Sequence, residues 1–246
     1  MKASAAAISA LALLLVARAS FAQGPPAQSP RAAAPIDLTG YWVSIVSEDW
    51  RYRMVTPTKG DFQGVPVTPD AVKAANDWNP ETDTAAGNQC RSYGAPAILR
   101  VPGRLHITWD DDRTLKLEAD AGTQTRLFQF GKPSPAPARR TWQGSSVAVW
   151  EARRANNPAP SARYLKVTTT NMLAGYLRKN GVPYGESAVL TEYFDLFREK
   201  DGTTMMFVTA VVQDPVYLEQ RYIVISHFRK EPDGSKWDPT PCSARW

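Results

Sequence analysis

A charged side chain on an otherwise apolar strand face must be paired or must do work, because burying a lone carboxylate, imidazole or guanidinium is costly. Three positions stand out on that test. In Ala188–Phe197 the even positions read Ala188, Leu190, Glu192, Phe194 and Leu196, with Glu192 the one charge. In Tyr222–Arg229 the odd positions read Ile223, Ile225, His227 and Arg229. In Thr125–Phe130 the even positions read Arg126, Phe128 and Phe130. If the three meet, Glu192 is a general base or orienting carboxylate, His227 its acid–base partner and Arg126 an anion clamp. That set suits a cofactor-free isomerase, lyase or hydrolase. If each face is the solvent side of a mixed strand, or the three satisfy one another, they are structural.

A second group follows the first strand. Asp49, Trp50, Arg51 and Arg53 bring a carboxylate, an indole and two guanidiniums to one short stretch. At a barrel rim they can grip an anionic aromatic ligand, or they form a surface ion pair. Trp50, Arg53, Tyr193 and Trp109 are the candidate ligand contacts. The chain has 8 Trp, 9 Tyr and 8 Phe, enough to line an apolar pocket or to fill an aromatic β core. His106 shares its face with Arg104 and Thr108 and reads as solvent-facing. Asp110-Asp111-Asp112 lacks the glycine and distal glutamate of a calcium loop and reads as a solvated turn. No metal site is expected, with two histidines and no clustered cysteines. No Gly-x-Ser-x-Gly, Gly-x-Gly-x-x-Gly, phosphate loop, His-Glu-x-x-His or Cys-x-x-Cys occurs, so no cofactor is expected.

The elements that would position these groups are strands. Period-two alternation rich in Val, Ile, Thr, Tyr, Phe and Trp covers Tyr41–Ser47, Arg51–Thr56, Ala97–Val101, Arg104–Trp109, Thr114–Ala119 and Thr125–Phe130. It resumes over Val147–Glu151, Tyr164–Thr170, Ala188–Phe197, Thr203–Val212 and Tyr222–Arg229. Asp110-Asp111-Asp112, Asp120-Ala121-Gly122, Asn180-Gly181 and Asp201-Gly202 supply turns. Proline-bearing stretches at Gly131–Arg140 and Ala155–Ala162 read as connections. One helix is predicted: Thr68 caps it, Pro69 opens it, Ala71, Ala74, Ala75 and Trp78 form its apolar stripe, and Asn79-Pro80 stops it. It serves as a lid over a barrel mouth or as a plug packed on the barrel end. The fold class is therefore all-β, an antiparallel up-and-down barrel or a strongly curled sandwich with one short helix.

The N-terminus sets the compartment. Lys2, the apolar run Ala5–Val16 and Ser20-Phe21-Ala22 have the layout of a secretory signal peptide cleaved after Ala22. Residues 23–35, with Pro25, Pro26, Pro30 and Pro35, read as a disordered lead-in, and residues 36–246 as one domain. Cleavage removes Lys2 and Arg18 from the 29 basic residues against 24 acidic ones, leaving a net charge of +3. That is too mild for a nucleic-acid partner. No apolar run of membrane-spanning length follows the leader, and the Pro-containing end does not alternate like an outer-membrane strand, so integral insertion is not expected. Export makes the two cysteines, Cys90 and Cys242, a predicted disulfide. The expected location is the bacterial periplasm or the exterior.

Gly40-Tyr41-Trp42, opening the first strand, resembles the Gly-x-Trp motif of lipocalin-like (calycin) barrels. That resemblance implies a barrel with the Trp closing one end and an Arg near the last strand packed over it, here Arg221 or Arg229. The segment Leu177–Tyr184, with Thr191-Glu192-Tyr193 and Asp214-Pro215-Val216-Tyr217, is similar to a group of uncharacterised exported bacterial proteins and brings no activity with it. Three functions follow as expectations. The first is binding of a small, largely apolar or aromatic molecule inside the barrel. The second is the Glu192/His227/Arg126 enzyme. The third is a structural envelope protein.

Overall fold

The computed structural model describes residues 28–131, 139–152 and 163–245. The leader and its cleavage point lie outside them, as do residues 132–138 and 153–162 of the proline-bearing connections. Eleven strands form: β1 (Gly40–Ile45), β2 (Arg104–Trp109), β3 (Thr114–Ala119), β4 (Gln124–Phe130), β5 (Ser145–Ala152), β6 (Arg163–Thr170), β7 (Gly175–Tyr176), β8 (Pro183–Tyr184), β9 (Val189–Arg198), β10 (Thr204–Gln213) and β11 (Tyr222–Glu231). Nine of them close into a barrel in the order β1-β11-β10-β9-β6-β5-β4-β3-β2, while β7 and β8 pair only with each other. The all-β barrel read from the alternation is the fold.

One detail corrects the purely antiparallel expectation. Nine strands cannot alternate direction all the way round a closed ring, so at least one neighbouring pair must be parallel. That pair is β4–β5, from Phe128↔Ser146 to Phe130↔Ala148. Two predicted strands are also absent. Residues 51–56 begin in α1 (Trp50–Arg53), entered through Asp49 at φ 49°. Residues 97–101 begin in α4 (Ala95–Ile98), where Pro96 sits in the first turn and alanines favour the helix. The predicted helix is α2 (Pro69–Asn76), with Thr68 Oγ1 accepting from Ala71 N at 3.2 Å. Asn79 does more than stop it, since its side chain caps α3 (Pro80–Ala85) by accepting from Glu81 N. A 3₁₀ turn, Gln89–Tyr93, completes the excursion.

The alternating inward residues meet along the barrel axis. Trp42, Ile107, Leu117, Phe128, Leu165, Phe194 and Phe228 are at most 1% exposed, and Phe128 packs on Phe194 with ring centroids 5.6 Å apart. The aromatics named here belong to one buried core cluster. Trp42 Nε1 donates to Leu38 O at 2.9 Å. The cation over its ring is Lys230, at 5.4 Å, whereas Arg221 and Arg229 are exposed.

Strand direction sorts the connections. The excursions at 46–103, 171–188 and 214–221 all leave from one mouth, to which the C-terminal tail also returns. Cys90–Cys242 is a disulfide there, spanning 152 residues. At the opposite mouth residues 28–35 of the predicted disordered lead-in are ordered. Trp150 Nε1 donates to Pro30 O at 2.9 Å, and Arg31 N donates to Asp112 O at 3.2 Å. No helix of the described residues is long and apolar enough to cross a membrane.

Candidate functional site

Two of the three predicted catalytic residues meet. Arg126 and Glu192, each 1% exposed, form a bidentate pair: Nη1 donates to Oε1 at 2.8 Å and Nη2 to Oε2 at 2.5 Å. Arg126 Nη2 also reaches Thr169 Oγ1 at 3.1 Å, and Thr169 Oγ1 lies 2.8 Å from Ser146 Oγ. Each charge answers the other, so the carboxylate is spent on the guanidinium rather than poised for proton transfer.

His227 is not part of this pair. Its strand turns it to the outer wall, where Nδ1 lies 3.1 Å from Ser47 Oγ and 3.3 Å from Glu48 Oε2. Serine, histidine and glutamate recur here, but both partners contact the same ring nitrogen. A relay needs one on each nitrogen, so this is no triad. Tyr193 also faces outward, edge-on to Tyr164 at 5.7 Å. Trp109 lies at the opposite mouth against Phe130. Of the four predicted ligand contacts, Trp50 is exposed on α1, Tyr193 and Trp109 lie elsewhere, and Arg53 lines a separate site.

That site is a small cavity at the crowded mouth. About 30 Å³ is open to a water-sized sphere, and Tyr52, Arg53, Thr56, Ser92, Arg100, Arg178 and Lys179 are among its walls. Local sequence explains how they converge. The turn Arg178–Gly181 closes through Gly181 N donating to Arg178 O at 3.2 Å. Gly181 has φ 83°, and a Cβ there would lie 2.2 Å from Trp78 Cγ, so only glycine fits. Asn180 Nδ2 donates to Thr58 O and Asp61 O, both at 3.0 Å, and so pins the turn onto the loop after α1. The Arg178 guanidinium then lies 4.1 Å over the Tyr52 ring.

The electrostatics are lopsided. Arg53 pairs with Glu48 and donates to Arg100 O; Arg100 Nη2 donates to Asp49 Oδ2 at 2.8 Å. Burial and the nearby Arg100 lower the Arg53 pKa against the opposing pull of Glu48. Arg178 is 5% exposed, lies over the Tyr52 ring and forms no salt bridge with a carboxylate among the described residues. Five buried polar atoms on this wall lack a hydrogen bond within the chain: Arg53 Nη2, Thr56 Oγ1, Arg100 Nη1, and Arg178 Nε and Nη1. Four are cationic donors. Arg53 was legible as a candidate, but Arg100, Arg178 and Lys179 were not. The one available signal was the cation pair Arg178-Lys179 directly before the Asn180-Gly181 turn.

Lys179 Nζ donates to Tyr93 Oη at 3.1 Å and sits 4.4 Å over that ring. Burial pushes its pKa down to about 6. Between that value and the ordinary lysine range near 10.5 the unfolded chain holds a proton that the folded chain does not. Stability should therefore rise with pH across that window and be lowest at its acid end. Lys179→Met should flatten this rise by about 1–3 kcal/mol, the range left after allowing for a half-buried amine's solvent screening. Urea midpoints at either end of the window, wild type against variant, measure it.

A second cleft, of about 270 Å³, lies beside α2 and α3 among Trp78, Tyr176, Tyr184 and Tyr217. Its charges are internally settled. Asp83 accepts from Tyr176 Oη and from Arg91 Nη1, both at 2.8 Å. The unbonded Tyr184 hydroxyl is wedged against Gly94 and Gly175, where added Cβ atoms would lie 2.1 and 2.6 Å away. The cationic cavity is the stronger site. No family model, curated protein or solved structure matches the chain.

Proposed function

We propose that this chain is an exported, periplasmic or secreted, lipocalin-like barrel protein that binds a small anion in the cationic cavity at its mouth. The observation that carries this reading is Arg178, a buried guanidinium with no counter-charge among the described residues. An uncompensated buried charge costs several kcal/mol, and a bound carboxylate or phosphate oxygen would offset that cost. The orphaned donors of Arg53 and Arg100 support it, because guanidinium forks match carboxylate and phosphate geometry. The disulfide supports an oxidising compartment. The ligand is placed at the rim because the buried guanidinium donors converge there, among them Arg53 of the group that follows the first strand.

Titration calorimetry with acetate and with inorganic phosphate tests the reading. Wild type should bind at least one of them, and Arg178→Met should weaken that binding at least tenfold. The same variant should be more stable than wild type without ligand, by about 1–3 kcal/mol, because it removes a buried unpaired charge. Failure of wild type to bind phosphate or any straight-chain carboxylate would overturn the proposal, as would a destabilised Arg178→Met that still binds.

A further inference from the structure

The cavity is too small to hold more than a head group, and next to its exposed wall residue Val55 the chain presents an apolar ledge of Met54 and Trp50, four residues apart across α1 and its C-cap and so on one helix face. Trp50, Met54 and Val55 are 62%, 54% and 66% exposed, three large apolar side chains within six residues of the sequence. Val55 and Tyr52 belong to the cavity wall itself, so the ledge starts where the donors are. Residues that expose this much apolar surface beside a charged recess mark a surface meant to be covered. Arg53, Arg100, Arg178 and Lys179 stand against Glu48 and Asp49, so the basic groups of this wall outnumber the carboxylates beside them.

We infer that the ligand is a single-chain amphiphilic monocarboxylate, its head held by Arg178, Arg53 and Arg100 and its apolar chain laid over Val55, Met54 and Trp50. This rests on the anion-binding reading and adds the ligand's class to it. A planar carboxylate matches the guanidinium forks, and its small head suits a recess of about 30 Å³ better than a bulkier phosphate. The chain gains affinity by covering the ledge, and the cavity volume keeps it outside the head-group recess.

Titration of the full chain with straight-chain carboxylates from acetate to dodecanoate tests the inference. Affinity should rise about two- to fourfold per added methylene over the first several carbons, then level off once the ledge is covered. Trp50→Ser/Met54→Ser should lower dodecanoate affinity at least tenfold. Both residues are exposed, so the variant should fold. A second arm uses phosphatidylcholine vesicles with and without phosphatidylglycerol. Binding to anionic vesicles without binding of free dodecanoate would overturn the inference in favour of a membrane surface. Equal affinity for acetate and dodecanoate would overturn it while leaving the anion reading intact. No binding of any carboxylate or phosphate would remove both.

Discussion

Arg126→Met is expected to lower unfolding stability by about 3–5 kcal/mol, and Glu192→Leu by a similar amount. Each leaves a charge that the barrel cannot solvate. Arg126 and Glu192 are each 1% exposed, and neither has another opposite charge within salt-bridge distance. The double variant Arg126→Met/Glu192→Leu should recover most of the loss, because the two groups chiefly serve each other and apolar residues of similar volume suit the surrounding layer. Thr169 and Ser146 keep their mutual hydrogen bond in all three variants. Urea denaturation of the four proteins closes a double-mutant cycle, with an expected coupling of at least about 4 kcal/mol, because the single losses together reach about 6–10 kcal/mol and the double should lose less than about 2. A double variant as unstable as the worse single one would show that the pair supports something besides itself, and would reopen a chemical role for Glu192.

This pair also shows how far strand periodicity reaches. The same parity argument that singled out Glu192 and Arg126 singled out His227. It put the first two on one inward layer and gave the third the wrong side. Parity assigns residues to two faces, and burial decides which face is inside. Around Glu192 the even face is uniformly apolar. On β11 both faces carry large apolar residues: Tyr222, Val224 and Phe228 point in with Ser226, while Ile223 and Ile225 are 59% and 42% exposed outside. An apolar outer face defeats the inference, and nothing local to β11 corrects it.

The rim cavity was hidden for a different reason. Its walls come from three separated stretches, residues 52–56, 92–101 and 177–179, brought together by a mouth that collects nearly every long connection. Arg53 was visible because Asp49, Trp50 and Arg51 surround it. Arg100 lay within an apolar stretch whose alternation read as a strand, although Pro96 and the flanking alanines there suit a helix turn. Arg178 and Lys179 stood beside a correctly read hairpin turn, but what makes Arg178 informative is that no carboxylate reaches it. A missing partner is a property of three-dimensional surroundings and leaves no mark on spacing.

Breaking Cys90–Cys242 is expected to have the largest effect on the folded state. The bond closes a loop spanning 152 residues, and in the chain-entropy model that restricts the unfolded chain by about 5 kcal/mol. Cys90→Ala/Cys242→Ala should therefore lose several kcal/mol in urea denaturation, and added dithiothreitol should lower the wild-type melting temperature but leave the variant's unchanged. The effect should also reach the cavity. Cys90 lies in the 3₁₀ turn that carries Ser92 and Tyr93, and Cys242 precedes Ser243, whose N–H donates to Tyr93 Oη at 3.3 Å. The same hydroxyl accepts from Lys179 Nζ. Releasing the tail removes one of the two donors that fix Tyr93, and frees the turn that supplies Ser92 to the cavity wall. Anion affinity should then fall along with stability, whereas Arg126→Met/Glu192→Leu, at residues that do not line the cavity, should leave it within about twofold. Calorimetry on the two double variants separates a mouth held in shape by its covalent tie from a cavity that depends only on the barrel beneath it.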